Sequence, residues 1–202
     1  MILERPDHAW ALYVFAHGAG AGMTHSFMTA MATELSKLGI ATLRYDFPYM
    51  AEGKRRIDPK PVLEQSVRDA VAKAPRDLPL FAGGKSMGGR MTSQAQAAQP
   101  LPGVRGLAFI GFPLHPAKEP ATKRADHLSG VTLPVLFLQG TRDDLADLTL
   151  LQPIVERIPL AKLHIIEGAD HSFHVLKRSG RTDAEVLTEL AGTMASWFRS
   201  LL

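Results

Sequence analysis

The sequence predicts an α/β fold: a doubly wound, mostly parallel six-stranded sheet with helices on both faces. Short apolar runs alternate with longer amphipathic stretches from residue 11 to the end of the chain. Most of these runs are apolar on both faces, which is typical of strands buried on both sides of a parallel sheet. The 202 residues, 46% of them hydrophobic and 21% charged, suit one domain over residues 1–202 with a sizeable core.

Each predicted helix follows a strand, so the chain order is that of repeated right-handed crossovers. The predicted strands are 11–16, 40–45, 79–83, 104–110, 134–139 and 162–167. The predicted helices are 26–38, 60–74, 87–99, 148–157 and 183–201. Gly39 and Pro100 end the first and third helices, whereas residues 112–131 give no clear prediction. Ligands of such sheets bind beyond the carboxyl ends of the strands.

Composition argues against several classes of partner. The net charge is +3, and the short basic groups lie far apart in the sequence, so no basic stripe for nucleic acid is expected. No apolar run approaches the roughly 18 residues of a membrane span, so we expect no membrane partner. The chain has no cysteine, which excludes disulfides and thiolate metal sites and favours a cytoplasmic location.

Ser86 is the candidate nucleophile. It lies in Gly84-Lys85-Ser86-Met87-Gly88, between a predicted strand and a predicted helix. Gly-x-Ser-x-Gly is a weak motif alone, but this strand–turn–helix setting is the one that exposes a serine hydroxyl. The two flanking glycines are expected because side chains would clash across so tight a turn. The alternative is a glycine-rich helix cap with no chemistry.

The general base and the acid are expected after later strands, in the chain order Ser, Asp, His. Asp143 follows the strand 134–139, and His171 follows the strand 162–167. Asp144 and Asp147 are alternative acids, more typical of an exposed face and a helix cap. His174 is the alternative base, and Asp170 is too close in sequence to orient His171.

Two backbone N–H groups are expected to stabilise an oxyanion. Met87 follows the nucleophile directly. The second donor should come from the glycine-rich stretch 17–22 after the first strand, with Ala19 as the candidate and Gly20 as the alternative. We expect His17 to hold this loop by hydrogen bonds. No metal and no cofactor are expected, because the spacing fits neither a histidine cluster nor a phosphate loop.

Six stretches resemble the α/β-hydrolase superfamily, in its small dienelactone-hydrolase-like branch. The resemblance extends to compact predicted bacterial hydrolases, whose family includes a mammalian testis-expressed protein and a hydrolase-like domain of an NSL-complex subunit. The stretches are "HGAGAGM" (17–23), "LRYDFPYM" (43–50), "GGKSMGGR" (83–90), "GFPLHP" (111–116), "LFLQGTRD" (136–143) and "GADHSF" (168–173). The family pattern implies Ser86 as nucleophile, Asp143 as acid and His171 as base.

The resemblance also implies a substrate pocket and its limits. The residues expected around the pocket are Met23, His25, Phe47, Tyr49, Phe112, Leu114 and His115. Ordinary core and loop packing is the alternative for each of them. Only about twenty residues lie between the strand that ends at Ile110 and the next predicted strand, so no large lid is expected, and a shallow site favours small acyl groups.

These observations predict a serine hydrolase of the carboxylesterase or thioesterase kind, acting on a small-molecule ester, thioester or lactone. The alternative is a binding or scaffold module with the same fold and little turnover. A minor alternative is cleavage of a carbon–carbon bond. Lys85 and Arg142 flank the site in the sequence, and we expect them to be solvated, with contact to an anionic substrate as the alternative.

Overall fold

One seven-stranded sheet runs through the computed structural model, which describes all residues from Met1 to Leu202. The strands are β1 (Ile2–Glu4), β2 (Ala11–Ala16), β3 (Ile40–Tyr45), β4 (Leu80–Lys85), β5 (Val104–Ile110), β6 (Val135–Gly140) and β7 (Ala161–Ile166). Their order in the sheet is β1-β3-β2-β4-β5-β6-β7. Every pair is parallel except β1 with β3, so the predicted fold class is confirmed.

Helices cover both faces of this sheet. They are α1 (Ser26–Lys37), α2 (Pro48–Ala51), α3 (Lys60–Lys73), α4 (Met87–Ala98), α5 (Leu148–Glu156) and α6 (Asp183–Arg199). Two short 3-10 helices occupy Lys123–Gly130 and Lys177–Ser179. None of the helices combines the length and the apolar composition that a bilayer crossing requires.

The alternation of side chains along the strands divides the core in two. In β2, Leu12 and Val14 face the cluster that includes side chains of α3, α4 and α5. Tyr13 and Phe15 face the opposite cluster, which includes side chains of α1 and α6. The strands β2, β3, β4 and β6 are therefore buried along their whole length, as the continuous apolar runs indicate, whereas the edge strands β1 and β7 are partly exposed.

Several features differ from the sequence prediction, among them the short helix Pro48–Ala51, which was not predicted. The sheet has seven strands rather than six, because Ile2–Glu4 adds a short antiparallel edge strand to β3. A three-residue strand whose side chains are partly exposed gives no apolar run. The stretch without a prediction contains a 3-10 helix that packs on α4. Strand β4 extends to Lys85, so Ser86 follows the sheet directly.

Candidate active site

Ser86 occupies the turn between β4 and α4 in an unusual backbone conformation. Its φ is 50° and its ψ is −119°, a combination that residues other than glycine rarely adopt. The turn is held by the Ser86 N–H, which donates to the Ile110 carbonyl at 2.9 Å. Although Ser86 is the N-cap of α4, its hydroxyl makes no hydrogen bond to the helix. The hydroxyl is thus available to a partner outside the helix.

The glycines on either side of Ser86 lie directly against the end of β2. A Cβ atom on Gly84 would stand 2.5 Å from the Ala16 carbonyl oxygen and 2.8 Å from the carbonyl carbon of Gly88. One on Gly88 would stand 2.5 Å from the same Ala16 oxygen. Distances this short exclude a side chain, so the turn requires glycine at both positions.

Three side chains from separate loops form one hydrogen-bonded series. His171 Nε2 lies 2.9 Å from Ser86 Oγ, and His171 Nδ1 lies 2.8 Å from Asp143 Oδ2. Because Asp143 accepts from Nδ1–H, Nε2 is left to accept the Ser86 hydroxyl proton. The imidazole is 26% exposed, whereas the carboxylate is fully buried. This arrangement orients the ring and gives it access to a ligand.

The Asp143 carboxylate receives two further hydrogen bonds. The Leu145 N–H donates to Oδ1 at 2.8 Å, and Gln139 Nε2 donates to Oδ2 at 2.5 Å. Gln139 is not among the site residues predicted from the sequence. A polar amide at the end of the apolar strand β6, four residues before the candidate acid, is the signal that could have found it.

The alternative acids and bases hold structural positions. Asp147 caps α5 by accepting from the Thr149 N–H at 2.8 Å, and Asp144 is exposed. His174 is bonded to Asp183 at the surface. Asp170 accepts hydrogen bonds from two backbone N–H groups of its own loop. None of these side chains enters the series formed by Ser86, His171 and Asp143.

The loop after β2 is fixed by His17, as the sequence predicts. His17 is fully buried; its Nδ1–H donates to the Gly18 carbonyl at 2.7 Å, and its Nε2 accepts from the Phe47 N–H at 3.1 Å. Burial lowers the pKa of this imidazole. The neutral ring therefore connects the loops that follow β2 and β3.

The candidate oxyanion donors differ in their hydrogen bonding. The Gly20 N–H donates to Tyr49 Oη at 3.3 Å and is therefore already engaged. The N–H groups of Ala19 and Met87 make no hydrogen bond within the chain. Ala19 also lines the cleft beside Ser86. Of the two candidates in this loop, Ala19 has the available donor.

A cleft of about 320 Å³ opens beside Ser86 and His171. The other residues that line it are Gly18, Ala19, Ala21, His25, Phe27, Met28, Lys85, Leu145 and Ser172. Of the seven pocket residues that the resemblance implies, only His25 is among them. Phe27 and Met28 were not predicted, because they lie at the start of α1, an element that the resemblance does not cover.

The other six implied pocket residues lie elsewhere. Phe47, Tyr49, Phe112 and Leu114 are buried in the core with at most 1% of their surface exposed. Met23 is held outside the cleft through its backbone, whose N–H donates to Asp46 at 2.7 Å. The motifs do follow strand ends, but their aromatic and aliphatic side chains turn inward, where burial stabilises them.

His115 supports the loop that carries Asp143 instead of lining the cleft. Its backbone N–H donates to the Leu145 carbonyl at 3.0 Å, and its Nε2 accepts from the Asp147 N–H at 2.9 Å. Its Nδ1 lies 2.8 Å from the Pro116 carbonyl oxygen. A buried histidine thus joins the loops after β5 and β6, as His17 joins those after β2 and β3.

Solved structures with the same fold come from several bacteria. A dienelactone hydrolase from Anabaena variabilis matches with a TM-score of 0.73 at 24% identity, over 99% of this chain and 90% of that one. The protein Est1E from Butyrivibrio proteoclasticus matches with a TM-score of 0.70 at 17% identity, over 98% and 93%. XC6422 from Xanthomonas campestris, described as a serine hydrolase without lid, matches with a TM-score of 0.72 at 21% identity, over 96% and 87%.

The family model described as "Alpha/beta hydrolase domain" matches residues 9–199, nearly the whole chain. The match begins before β2 and ends with α6, so it includes all three loops that carry Ser86, Asp143 and His171. The chain therefore belongs to the α/β-hydrolase family.

Proposed function

We propose that the protein is a serine hydrolase that cleaves a small ester, thioester or lactone through an acyl-enzyme intermediate. The observation that carries the proposal is the unbroken series from the Ser86 hydroxyl through His171 to the buried Asp143 carboxylate. An alcohol, an imidazole and a carboxylate in this order are what activation of a serine requires. The proposal places the chain in the small dienelactone-hydrolase-like branch of its family.

In the proposed reaction, Ser86 Oγ attacks the acyl carbon while His171 Nε2 takes the hydroxyl proton. The N–H groups of Met87 and Ala19 stabilise the negative oxygen of the tetrahedral intermediate. His171 then returns the proton to the leaving alcohol or thiol, which leaves Ser86 acylated. Water attacks the acyl-enzyme with His171 as base, and this second step releases the acid and restores Ser86.

The cleft supports a small acyl group. Its volume of about 320 Å³ is at the lower end of the range for small-molecule sites. The segment between Ile110 and Val135 carries one 3-10 helix and no lid domain. Two of the similar structures are of proteins described as a dienelactone hydrolase and a serine hydrolase without lid, which belong to the same reaction class.

A fluorophosphonate probe and a panel of p-nitrophenyl acetate, butyrate and octanoate test the proposal. We expect covalent labelling of the parent protein and turnover that decreases as the acyl chain lengthens. Ser86→Ala should abolish labelling and lower kcat by about 10³-fold or more, because no nucleophile remains. The matched control is Ser129→Ala, which removes an exposed hydroxyl from the surface 3-10 helix and should behave like the parent.

Two results would contradict the proposal. Turnover by Ser86→Ala at the parent rate would exclude the acyl-enzyme route. Absence of both labelling and turnover in the folded parent, over the whole panel, would instead favour the binding-module alternative.

A further inference from the structure

The ammonium group of Lys85 lies behind the candidate base rather than in solvent. Lys85 is the last residue of β4, directly before Ser86, and only 9% of it is exposed. Its Nζ donates to the His171 carbonyl oxygen at 2.6 Å. By contrast, Arg142, the other cation beside the site in the sequence, is exposed and donates to the Gly168 carbonyl.

Two aromatic rings and the backbone of a glycine lie around this ammonium group. Nζ lies 5.7 Å from the centre of the Phe27 ring and 5.3 Å from that of Phe173, within the range of cation–π attraction. A Cβ atom on Gly111 would stand 3.0 Å from Nζ and 3.6 Å from Asp143 Oδ2. The absence of a side chain at residue 111 therefore leaves room for the lysine and the acid together.

The loop that carries His171 is held on both sides of this residue, for example by the Phe173 N–H, which donates to the Asp170 carbonyl at 2.9 Å, and by the bridge between Ala169 and Val175. Phe173 adopts a positive φ of 64°, which is unfavourable for an aromatic residue. The Asp170 carboxylate accepts hydrogen bonds from the backbone N–H groups of Ser172 and His174. The backbone of His171 is held by the hydrogen bond from Lys85, and a charged donor makes this bond stronger than a neutral one would.

We propose that Lys85 is a positioning residue of the hydrolase: its ammonium fixes the backbone of His171 so that the imidazole stays between Ser86 and Asp143. The inference rests on the proposed function and deepens it. Although Lys85 also lines the cleft, its ammonium donates its hydrogen bond to the His171 carbonyl oxygen and not to the imidazole, so we place its effect on the backbone of His171. A shift of the ring by a fraction of an ångström would slow proton transfer, because that step depends on alignment.

The strength of this anchor depends on pH. Burial lowers the pKa of Lys85 to about 8, while the nearby carboxylates Asp143 and Asp170 partly oppose that shift. Above this pH the neutral amine is a weaker donor. The other titratable groups that face the ammonium or line the same cleft are Asp143, Asp170, His171 and His25. The parent and the Lys85 variants share all four of these groups, so they differ at residue 85 alone.

The test compares Lys85→Met with the parent between about pH 7 and pH 10, around the Lys85 transition. The readouts are the rate of fluorophosphonate labelling and the kcat and KM for p-nitrophenyl butyrate. At pH 7 we expect kcat and labelling to fall about tenfold with KM little changed. The ratio of parent to variant rates should approach one near pH 10, where the parent has also lost its ammonium. Lys73→Met, which removes an exposed charge from α3, should match the parent throughout.

Equal rates at pH 7, or a ratio that stays constant with pH, would overturn the inference, because a purely structural loss does not follow the lysine charge. Lys85→Arg keeps the positive charge at every pH tested, and it is the variant to measure if Lys85→Met does not fold. Its rate should not decline between pH 8 and pH 10 as that of the parent does. A matching decline would contradict the inference.

Ser86→Ala, assayed in parallel, separates the two proposals. If Ser86→Ala is still labelled, the proposed hydrolase mechanism is wrong. If Ser86→Ala loses labelling while the Lys85 variants behave like the parent, only the role of Lys85 is wrong.

Discussion

At the scale of single residues, the Asp143 carboxylate is the most constrained group of the site. It is fully buried and accepts hydrogen bonds from His171, Gln139 and the Leu145 backbone. A buried charge is stable only with such partners. The carboxylate therefore holds the imidazole in one tautomer and stabilises the imidazolium that forms during the proposed reaction.

We expect Asp143→Asn to lower kcat by about 10³- to 10⁴-fold while the protein stays folded. An amide can donate to His171 Nδ1, which would place the imidazole proton on Nε2 and leave no acceptor for the Ser86 hydroxyl. Steady-state kinetics with p-nitrophenyl butyrate measure the effect. Asp144→Asn is the matched control at the exposed neighbouring position and should leave kcat unchanged. A loss of less than about threefold in the Asp143 variant would remove Asp143 from the mechanism.

Sequence reasoning identifies the site residues whose type the chemistry demands. Ser86, Asp143 and His171 could be named because each follows a predicted strand. For Gln139 the only signal is a polar amide in an apolar strand, four residues before Asp143. Lys85 was expected to be solvated, because its hydrogen bond to His171 depends on how a loop distant in the chain packs against β4. Phe47 and Phe112 were expected to line the pocket. Both follow strand ends, but their side chains are buried in the core.

At the scale of elements, the turn from β4 to α4 is defined by its contact with the end of β2. The turn approaches the Ala16 carbonyl so closely that neither Gly84 nor Gly88 can carry a side chain. This contact brings Ser86 beside the loop that contains Ala19. The nucleophile and the candidate oxyanion donors are thus positioned by the same contact between two elements.

We expect Gly88→Ala to lower the free energy of unfolding by about 1–3 kcal/mol, because its methyl group would overlap the Ala16 carbonyl oxygen. Activity should fall with it as the turn shifts. Gly192→Ala in α6 is the matched control, since nothing lies within 4 Å of its added Cβ. That control should be neutral or stabilised by up to about 1 kcal/mol. Urea unfolding of both variants measures the difference, and equal effects would contradict the expected clash.

The predictable elements are those that carry a strong local pattern. Six strands and five amphipathic helices could be predicted, because apolar runs and helical periodicity mark them. The strand Ile2–Glu4 and the helix Pro48–Ala51 have three and four residues, too few for either pattern. Their formation depends on neighbours distant in the chain, such as the pairing of Ile2 with Arg44.

At the scale of the whole molecule, buried neutral histidines make stability depend on pH. Burial, with Lys60 and Arg90 nearby, lowers the pKa of His127 to about 4, and burial also lowers that of His17. The unfolded chain binds these protons near pH 6.5, before the folded protein does. Protons therefore favour unfolding, and stability is lost as the pH falls below about 6.5.

We expect the free energy of unfolding to decrease between about pH 6.5 and pH 4. His127→Gln should weaken that dependence, because glutamine does not titrate and can still bond to Ser93, the present partner of His127 at 2.7 Å. Urea unfolding of parent and variant at both ends of the range measures the effect. His8→Gln, at an exposed position near the chain start, is the control and should keep the slope of the parent. Identical slopes for all three proteins would contradict the assignment to His127.

The short connection between β5 and β6 leaves the cleft uncovered. In hydrolases with a mobile cover, the opening of that cover can limit turnover. Nothing here has to open before a dissolved molecule meets the nucleophile. The proposed enzyme should accordingly work on monomeric substrate with simple saturation, and dispersing that substrate as an emulsion should give it no advantage.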